Sequence, residues 1–249
     1  MLRKTIVSAI LAVAALTAVS ARADKPGQVA RQHYAVNMGD FGQLRVIDAL
    51  NVEYRSSADS AGYVVFDCEP DIAPLILVSN DKFTLRLQAQ TDVPVMPRLP
   101  KITVYSTYLS SAENSGDSTL WVTNPAPNAE LKLRVVGNGH IICRGIRSNL
   151  VEGKIDTGRG TLYMAGAANW AKLRTVGTGS IQAGALKAEK GSIFIGGTGS
   201  VDCWITGELT VTGLGSGKVY LKGAPKVKNR TLGTVKVVSM AQPAETPKN

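Results

Sequence analysis

The residues that carry most metal and acid–base chemistry are scarce in this 249-residue chain. It has two histidines, His33 and His140, and three cysteines, Cys68, Cys143 and Cys203, in no CxxC or CxxH spacing. No zinc-type ligand pattern results, and no metal or cofactor is expected. Acids are sparse as well: between Gly137 and Gly223 the only ones are Glu152, Asp156, Glu189, Asp202 and Glu208. No two have the spacing of a glycosidase pair or a calcium cluster. Asp156 with Arg159 comes nearest, and Asp before a glycine turn is ordinarily turn chemistry. No catalytic residue is therefore assigned. Amphipathic helices are missing too, so the Gly-x-Gly pairs of the chain have no helix N-terminus to present to a phosphate. After one N-terminal apolar run there is no second, and no transmembrane helix is expected once that run is removed.

That run, Ile6 to Val19, follows Arg3 and Lys4 and leads to Ala21-Arg22-Ala23 ahead of Asp24. A charged n-region, a short h-region and a small-x-small site predict a cleaved signal peptide over residues 1–23. Lipid attachment needs a cysteine at the cleavage point, and the first cysteine is Cys68, so the product is expected to be a periplasmic or secreted protein and not a lipoprotein. Cleavage takes Arg3, Lys4 and Arg22 from 28 basic residues and none of 19 acids. The moderately basic remainder attracts anionic surfaces in general and points to no specific nucleic-acid partner.

Proline is absent from Asn128 to Ala224, whereas 19 of the 25 glycines lie between Gly137 and Gly223. Turn-formers without ladder-breakers suit short strands hydrogen-bonded on both sides. A unit recurs there: a glycine pair followed by alternating apolar residues. Its copies are Gly137-Asn138-Gly139-His140-Ile141-Ile142-Cys143, Gly158-Arg159-Gly160-Thr161-Leu162-Tyr163-Met164, Gly177-Thr178-Gly179-Ser180-Ile181, Gly197-Thr198-Gly199-Ser200-Val201-Asp202-Cys203 and Gly215-Ser216-Gly217-Lys218-Val219-Tyr220-Leu221. The copies start 21, 19, 20 and 18 residues apart. One coil cannot bury its own apolar face, whereas stacked coils share a core, so this period predicts a solenoid. Further strands are predicted at Lys172–Val176, Ser192–Ile195 and Glu208–Thr212. In the less regular earlier half they are predicted at Leu44–Ile47, Tyr63–Phe66, Leu75–Val78, Phe83–Leu87, Ile102–Tyr105, Leu120–Val122 and Leu131–Val135. Pro94–Pro100 reads as a surface loop, residues 24–239 as one all-β domain and residues 240–249 as a disordered tail.

Alternation puts Ile141 and Cys143, Leu162 and Met164, Ile181 and Ala183, Val201 and Cys203, and Val219 and Leu221 inside. Cys143 and Cys203 then share a column three coils apart, about 14 Å at ~4.8 Å per coil, beyond disulfide reach. All three cysteines are expected to be reduced. The outward columns are Ile142, Tyr163, Gln182, Asp202 and Tyr220, and Arg144, Ala165, Gly184, Trp204 and Lys222. Aromatic faces beside basic groups suit a glycan platform, and Arg144, Tyr163, Trp204, Tyr220 and Lys222 form the candidate ligand-binding face. The same residues would also serve as cover for a loop or as an oligomer contact. His140 reads as a solvated turn residue.

Several stretches resemble one known family. They are Phe41-Gly42-Gln43-Leu44-Arg45-Val46, Leu99-Pro100-Lys101-Ile102-Thr103-Val104, the Gly-x-Gly coils, and Gly215-Ser216-Gly217-Lys218-Val219-Tyr220-Leu221-Lys222-Gly223-Ala224-Pro225-Lys226-Val227. Together they are similar to the secreted GIN-type domain of Gram-negative bacteria, the head of an auto-transporter adhesin. The resemblance implies a single-stranded right-handed parallel β-helix with irregular N-terminal coils, an adhesive role, and no catalytic residues to carry over. The leading expectation is a non-catalytic binding module of the cell envelope with a glycan or protein ligand. A carbohydrate-active enzyme on acidic polysaccharide and a self-associating homo-oligomeric envelope protein are the alternatives.

Overall fold

The computed structural model describes residues 30–90 and 98–240. The leader expected at residues 1–23, nearly all of the tail and the Pro94–Pro97 part of the expected loop lie outside them. Among the described residues there is no α-helix, only a 3-10 turn at Ala73–Leu75. The strands are β1 (Gln32–Asn37), β2 (Gln43–Val46), β3 (Val52–Ser56), β4 (Tyr63–Cys68), β5 (Ile76–Asp81), β6 (Thr84–Ala89), β7 (Ile102–Ser106), β8 (Ser111–Asn114), β9 (Thr119–Thr123), β10 (Asn128–Val135), β11 (His140–Ile155), β12 (Thr161–Gly177), β13 (Ser180–Gly197), β14 (Ser200–Gly215), β15 (Lys218–Lys222), β16 (Lys226–Gly233) and β17 (Lys236–Ser239).

They stack as a parallel β-solenoid with two long ladders. The front ladder runs β7, β3, β9, then the first parts of β11 to β14, then β15 and β17. The back ladder runs β6, β2, β8, β10, the second parts of β11 to β14, and β16. Between the ladders lies one continuous apolar core. Its front columns pass through Val52, Leu120, Ile141, Leu162, Ile181, Val201 and Val219, and through Tyr54, Val122, Cys143, Met164, Ala183, Cys203 and Leu221, all buried. Every inward position read from the alternation is therefore inside. Fully burying one such aliphatic side chain stabilises by about 1.5–3 kcal/mol, which is why the pattern holds coil after coil. Cys143 and Cys203 stand in one column, and burial pushes the Cys203 thiol up to about 12 and the Cys143 thiol higher still.

Two glycines in each turn do different jobs. Gly215 has φ 130°, which L side chains rarely adopt, and an added Cβ would stand 2.4 Å from the Gly197 oxygen. At Gly217 the Cβ would meet the Gly199 oxygen at 2.5 Å, the same oxygen that accepts from the Lys218 N–H at 3.2 Å. One glycine reverses the chain and the next lets adjacent coils approach to hydrogen-bonding distance.

The architecture departs from the sequence reading in two ways. Lys172–Val176, Ser192–Ile195 and Glu208–Thr212 are not separate strands but parts of strands of 16 to 18 residues that turn a corner without losing their neighbours. Corner irregularities appear instead as register shifts, as between Ala183 and Lys187. In the N-terminal half, stacking order differs from chain order: β2 lies between β6 and β8, and β3 between β7 and β9. Beyond that coil, antiparallel β4 and β1 extend the front ladder and antiparallel β5 the back one. Alternation marks which face of a strand is buried and carries no record of which strand lies beside it.

Candidate ligand-binding face

On the front ladder, register aligns Trp121, Ile142, Tyr163, Gln182, Asp202 and Tyr220 in one outward column. Beside it a hydroxyl-rich column runs through Thr119, His140, Thr161, Ser180 and Ser200, with Ser200 Oγ 3.1 Å from Ser180 Oγ. His140 is exposed there. On the other flank, Lys187, Trp204 and Lys222 are consecutive neighbours.

The five residues selected from sequence therefore share one face, in two groups. The Arg144 guanidinium lies 5.5 Å from the Tyr163 ring centroid. Three coils along, Trp204 is flanked by the Lys222 ammonium at 3.7 Å and the Lys187 ammonium at 5.5 Å. Tyr220 lies one rung from Asp202, in the Tyr163 column. Tyr163 and Tyr220 are three rungs apart, about 14 Å by strand spacing. Burial raises the Asp202 carboxyl above its ordinary value. Trp204 is half-buried, and its Nε1 has no hydrogen-bond partner.

Sequence reasoning missed three members of this face. Lys187 occupies the place expected for Gly184, because β13 carries extra residues at its corner between Ala183 and Lys187, which slide the count. The unequal coil lengths were the available signal. Trp121, with the Lys101 ammonium 4.7 Å from its ring, belongs to the same column but lies in a coil without a glycine pair to announce it.

The back ladder combines cation–ring contacts with ion pairs, the Lys172 ammonium lying 4.6 Å from the Trp170 ring and the Arg174 guanidinium 5.0 Å from that of Phe194. Arg134 is 3.0 Å from Glu113 and also holds Asp156, Lys154 is 3.1 Å from Glu152, and Lys132 is 3.0 Å from Glu130. Asp156 thus pairs with Arg134 across the rung and not with Arg159. The front face also has one such group, where Glu53 meets Lys101 at 2.7 Å and Arg55 at 2.9 Å and is held below its ordinary pKa by them. Further along, Arg144, Lys187 and Lys222 lie over aromatic rings. No group of three His, Cys, Asp or Glu among the described residues is arranged to hold a metal ion.

Residues 40–225 match the family described as "Putative auto-transporter adhesin, head GIN domain". The chain belongs to this family. Three solved structures share the GIN-domain fold. A putative adhesin from Bacteroides fragilis superposes with a TM-score of 0.75 at 22% identity, over 84% of this chain and 97% of that one. A putative lipid binding protein from Parabacteroides distasonis gives 0.68 at 17% identity over 85% and 97%. A putative adhesin from Parabacteroides merdae gives 0.65 at 18% identity over 85% and 96%. At these identities the likeness establishes the fold alone. Among curated proteins none matches the sequence. No helix among the described residues is long and apolar enough to cross a membrane.

Proposed function

We propose that this GIN-domain chain is an exported, non-catalytic binding module of the cell envelope that takes an acidic glycan along its front face. Its mature part, residues 24–249, is released from the signal peptide at residues 1–23 and holds one right-handed β-helical domain at residues 24–239 ahead of a tail at residues 240–249. The observation that carries the reading is the run of cations over rings on one outward face: Arg144 lies over Tyr163, and Lys187 and Lys222 lie over Trp204, none of the three paired with a carboxylate among the described residues. A cation over a ring keeps N–H donors free for an incoming anion, and the aromatic faces of the same column stack on the C–H face of a sugar. Rungs at ~4.8 Å give a periodic row of such groups suited to an extended polymer.

The test is a glycan-array screen of residues 24–249, repeated with Tyr163→Ala, Trp204→Ala and Tyr220→Ala and with added salt. Salt-resistant binding to a defined acidic glycan, lost in the substituted chains, is the expected result. Attachment to every acidic polymer alike, or no attachment, would sink the glycan reading in favour of a protein ligand.

A further inference from the structure

The last coil of the solenoid is basic, and an acidic stretch of chain lies at its other end. Between Ser56 and Asp81 the chain has Asp59, Asp67, Glu69, Asp71 and Asp81 and no Lys, Arg or His. Between Leu209 and Ala244 it has Lys218, Lys222, Lys226, Lys228, Arg230 and Lys236 and no acid. The fold sends the first stretch to β4, β5 and their connection, at one end of the stack, and the second to β15, β16 and β17 at the other. Asp67, Glu69, Asp71 and Asp81 are exposed, as are Lys226, Lys228, Arg230 and Lys236. Arg31, Lys82 and Arg86 flank this stretch, Arg98 and Lys101 line one cavity with Glu69, and His33 meets Asp67 at 2.8 Å, so this end is only weakly acidic.

Both ends also present unpaired strand edges. Among the described residues, β16 pairs only with β14 and β17 only with β15, while β5 pairs only with β6 and β1 only with β4. A β-edge is a row of unmet N–H and C=O groups that templates another strand. Of the ten large apolar residues that stay exposed among the described residues, eight lie near the ends: Tyr63, Leu77 and Phe83 at one, and Leu214, Val227, Leu232, Val238 and Met240 at the other.

We propose that a second copy of this chain docks head to tail, its acidic β4–β5 end on the basic β16–β17 end of the first. A copy translated along the axis brings β5 antiparallel to β16, because β16 runs with the back ladder and β5 against it. Like ends repel, basic edge on basic edge, so charge selects the heterologous contact over the two-fold one. The core thins toward this contact. In the last coil Asn229, Thr231 and Ser239 occupy the places held one coil earlier by Val211, Gly213 and Leu221, while Val227 and Val237 continue the columns of Leu209 and Val219. Association therefore rests on edge pairing and charge, and it is salt-labile. It is independent of the front face and of any glycan.

Sedimentation velocity on the purified chain across protein concentration tests this. At low salt the weight-average mass rises with concentration, and it returns to monomer near 0.5 M NaCl, where the Debye length falls to about 4 Å. Two triple variants locate the contact: Lys226→Glu with Lys228→Glu and Arg230→Glu, and Glu69→Lys with Asp71→Lys and Asp81→Lys. Each alone stays monomeric, and an equimolar mixture associates, because each supplies the end the other has lost. A wild-type chain that is monomeric at every concentration in low salt overturns the proposal without any variant. So does association that survives in either folded variant alone, folding being checked by circular dichroism.

Discussion

The Lys222 ammonium stands 3.7 Å from the ring centroid of Trp204, the shortest cation-to-ring distance among the described residues. The two side chains are direct neighbours across the β14–β15 pairing, and Lys187 approaches the same ring from β13. Such a contact is worth about 0.5–1 kcal/mol at a partly exposed site. A double-mutant cycle of Trp204→Ala and Lys222→Ala in urea is expected to return a coupling of that size. Lys222→Ala alone is expected to leave the fold intact and weaken acidic-glycan binding.

Gly215 and Gly184 predict opposite outcomes for the same substitution. At Gly215 an alanine meets both φ 130° and a carbonyl oxygen 2.4 Å away, whereas at Gly184 the nearest atom is the Asp202 Cβ at 3.8 Å. Gly215→Ala is expected to cost more than about 1–2 kcal/mol, from left-handed strain with a backbone clash added to it. Gly184→Ala is expected to fall within about 0.5 kcal/mol of the parent. Denaturation midpoints of the two variants decide it.

Asn114 is a buried amide in the back-ladder column between Val46 and Val135. Its Nδ2 donates to the Ser118 oxygen at 2.8 Å and the His140 oxygen at 3.0 Å, and its Oδ1 accepts from the Gly116 N–H at 3.1 Å. It thereby fastens the β8–β9 turn to the start of β11. Asn114→Leu keeps the bulk but takes the acceptor from the Gly116 N–H and a donor from the Ser118 and His140 oxygens. Of these, the Ser118 oxygen still accepts from the His140 N–H at 2.9 Å. The substitution is expected to destabilise by about 1–3 kcal/mol, as an unmet buried group does. Equilibrium unfolding measures the loss.

Asp202 and Glu53 bend the pH–stability curve in opposite directions. Burial raises the Asp202 carboxyl above its ordinary 3.8, so the folded state holds that proton more tightly, and stability falls as pH rises from 3.8 through the raised value. Hydrogen bonds from Lys101 and Arg55 hold the Glu53 carboxyl below its ordinary 4.5, so its contribution is present above 4.5 and is lost as pH falls through the lowered value. Asp202→Asn is expected to stabilise the chain at pH 7, by up to about 1 kcal/mol. Glu53→Gln is expected to destabilise it at pH 7 and to matter least in acid. Thermal melts of both variants across the acid limb check the two signs.

How far the candidate site was legible is clearest in its own residues. Tyr163 and Tyr220 follow a glycine pair at a constant offset, and the pleat sends equal offsets to the same side, so their shared column could be counted. Lys187 defeats the count because the corner of β13 takes up extra residues before the ladder resumes. Trp121 stands in the same column, one coil ahead of the first glycine pair, where nothing in the local pattern marks a coil.

By itself the sequence determined the repeat, the buried set and the outward set of the glycine-rich coils. These follow from the two-residue period of a strand and from turns that only glycine can make. Tertiary structure alone decided the rest. It placed the β2–β3 coil between later ones, joined paired segments into long strands around a corner, matched Lys132, Arg134 and Lys154 to carboxylates and left Arg144, Lys187 and Lys222 on aromatic rings. It also carried an acidic stretch and a basic stretch to opposite ends of one axis. The physical reason is that burial is written locally, one residue at a time, whereas neighbour identity is set by hydrogen bonds between segments that any strand of suitable register can supply.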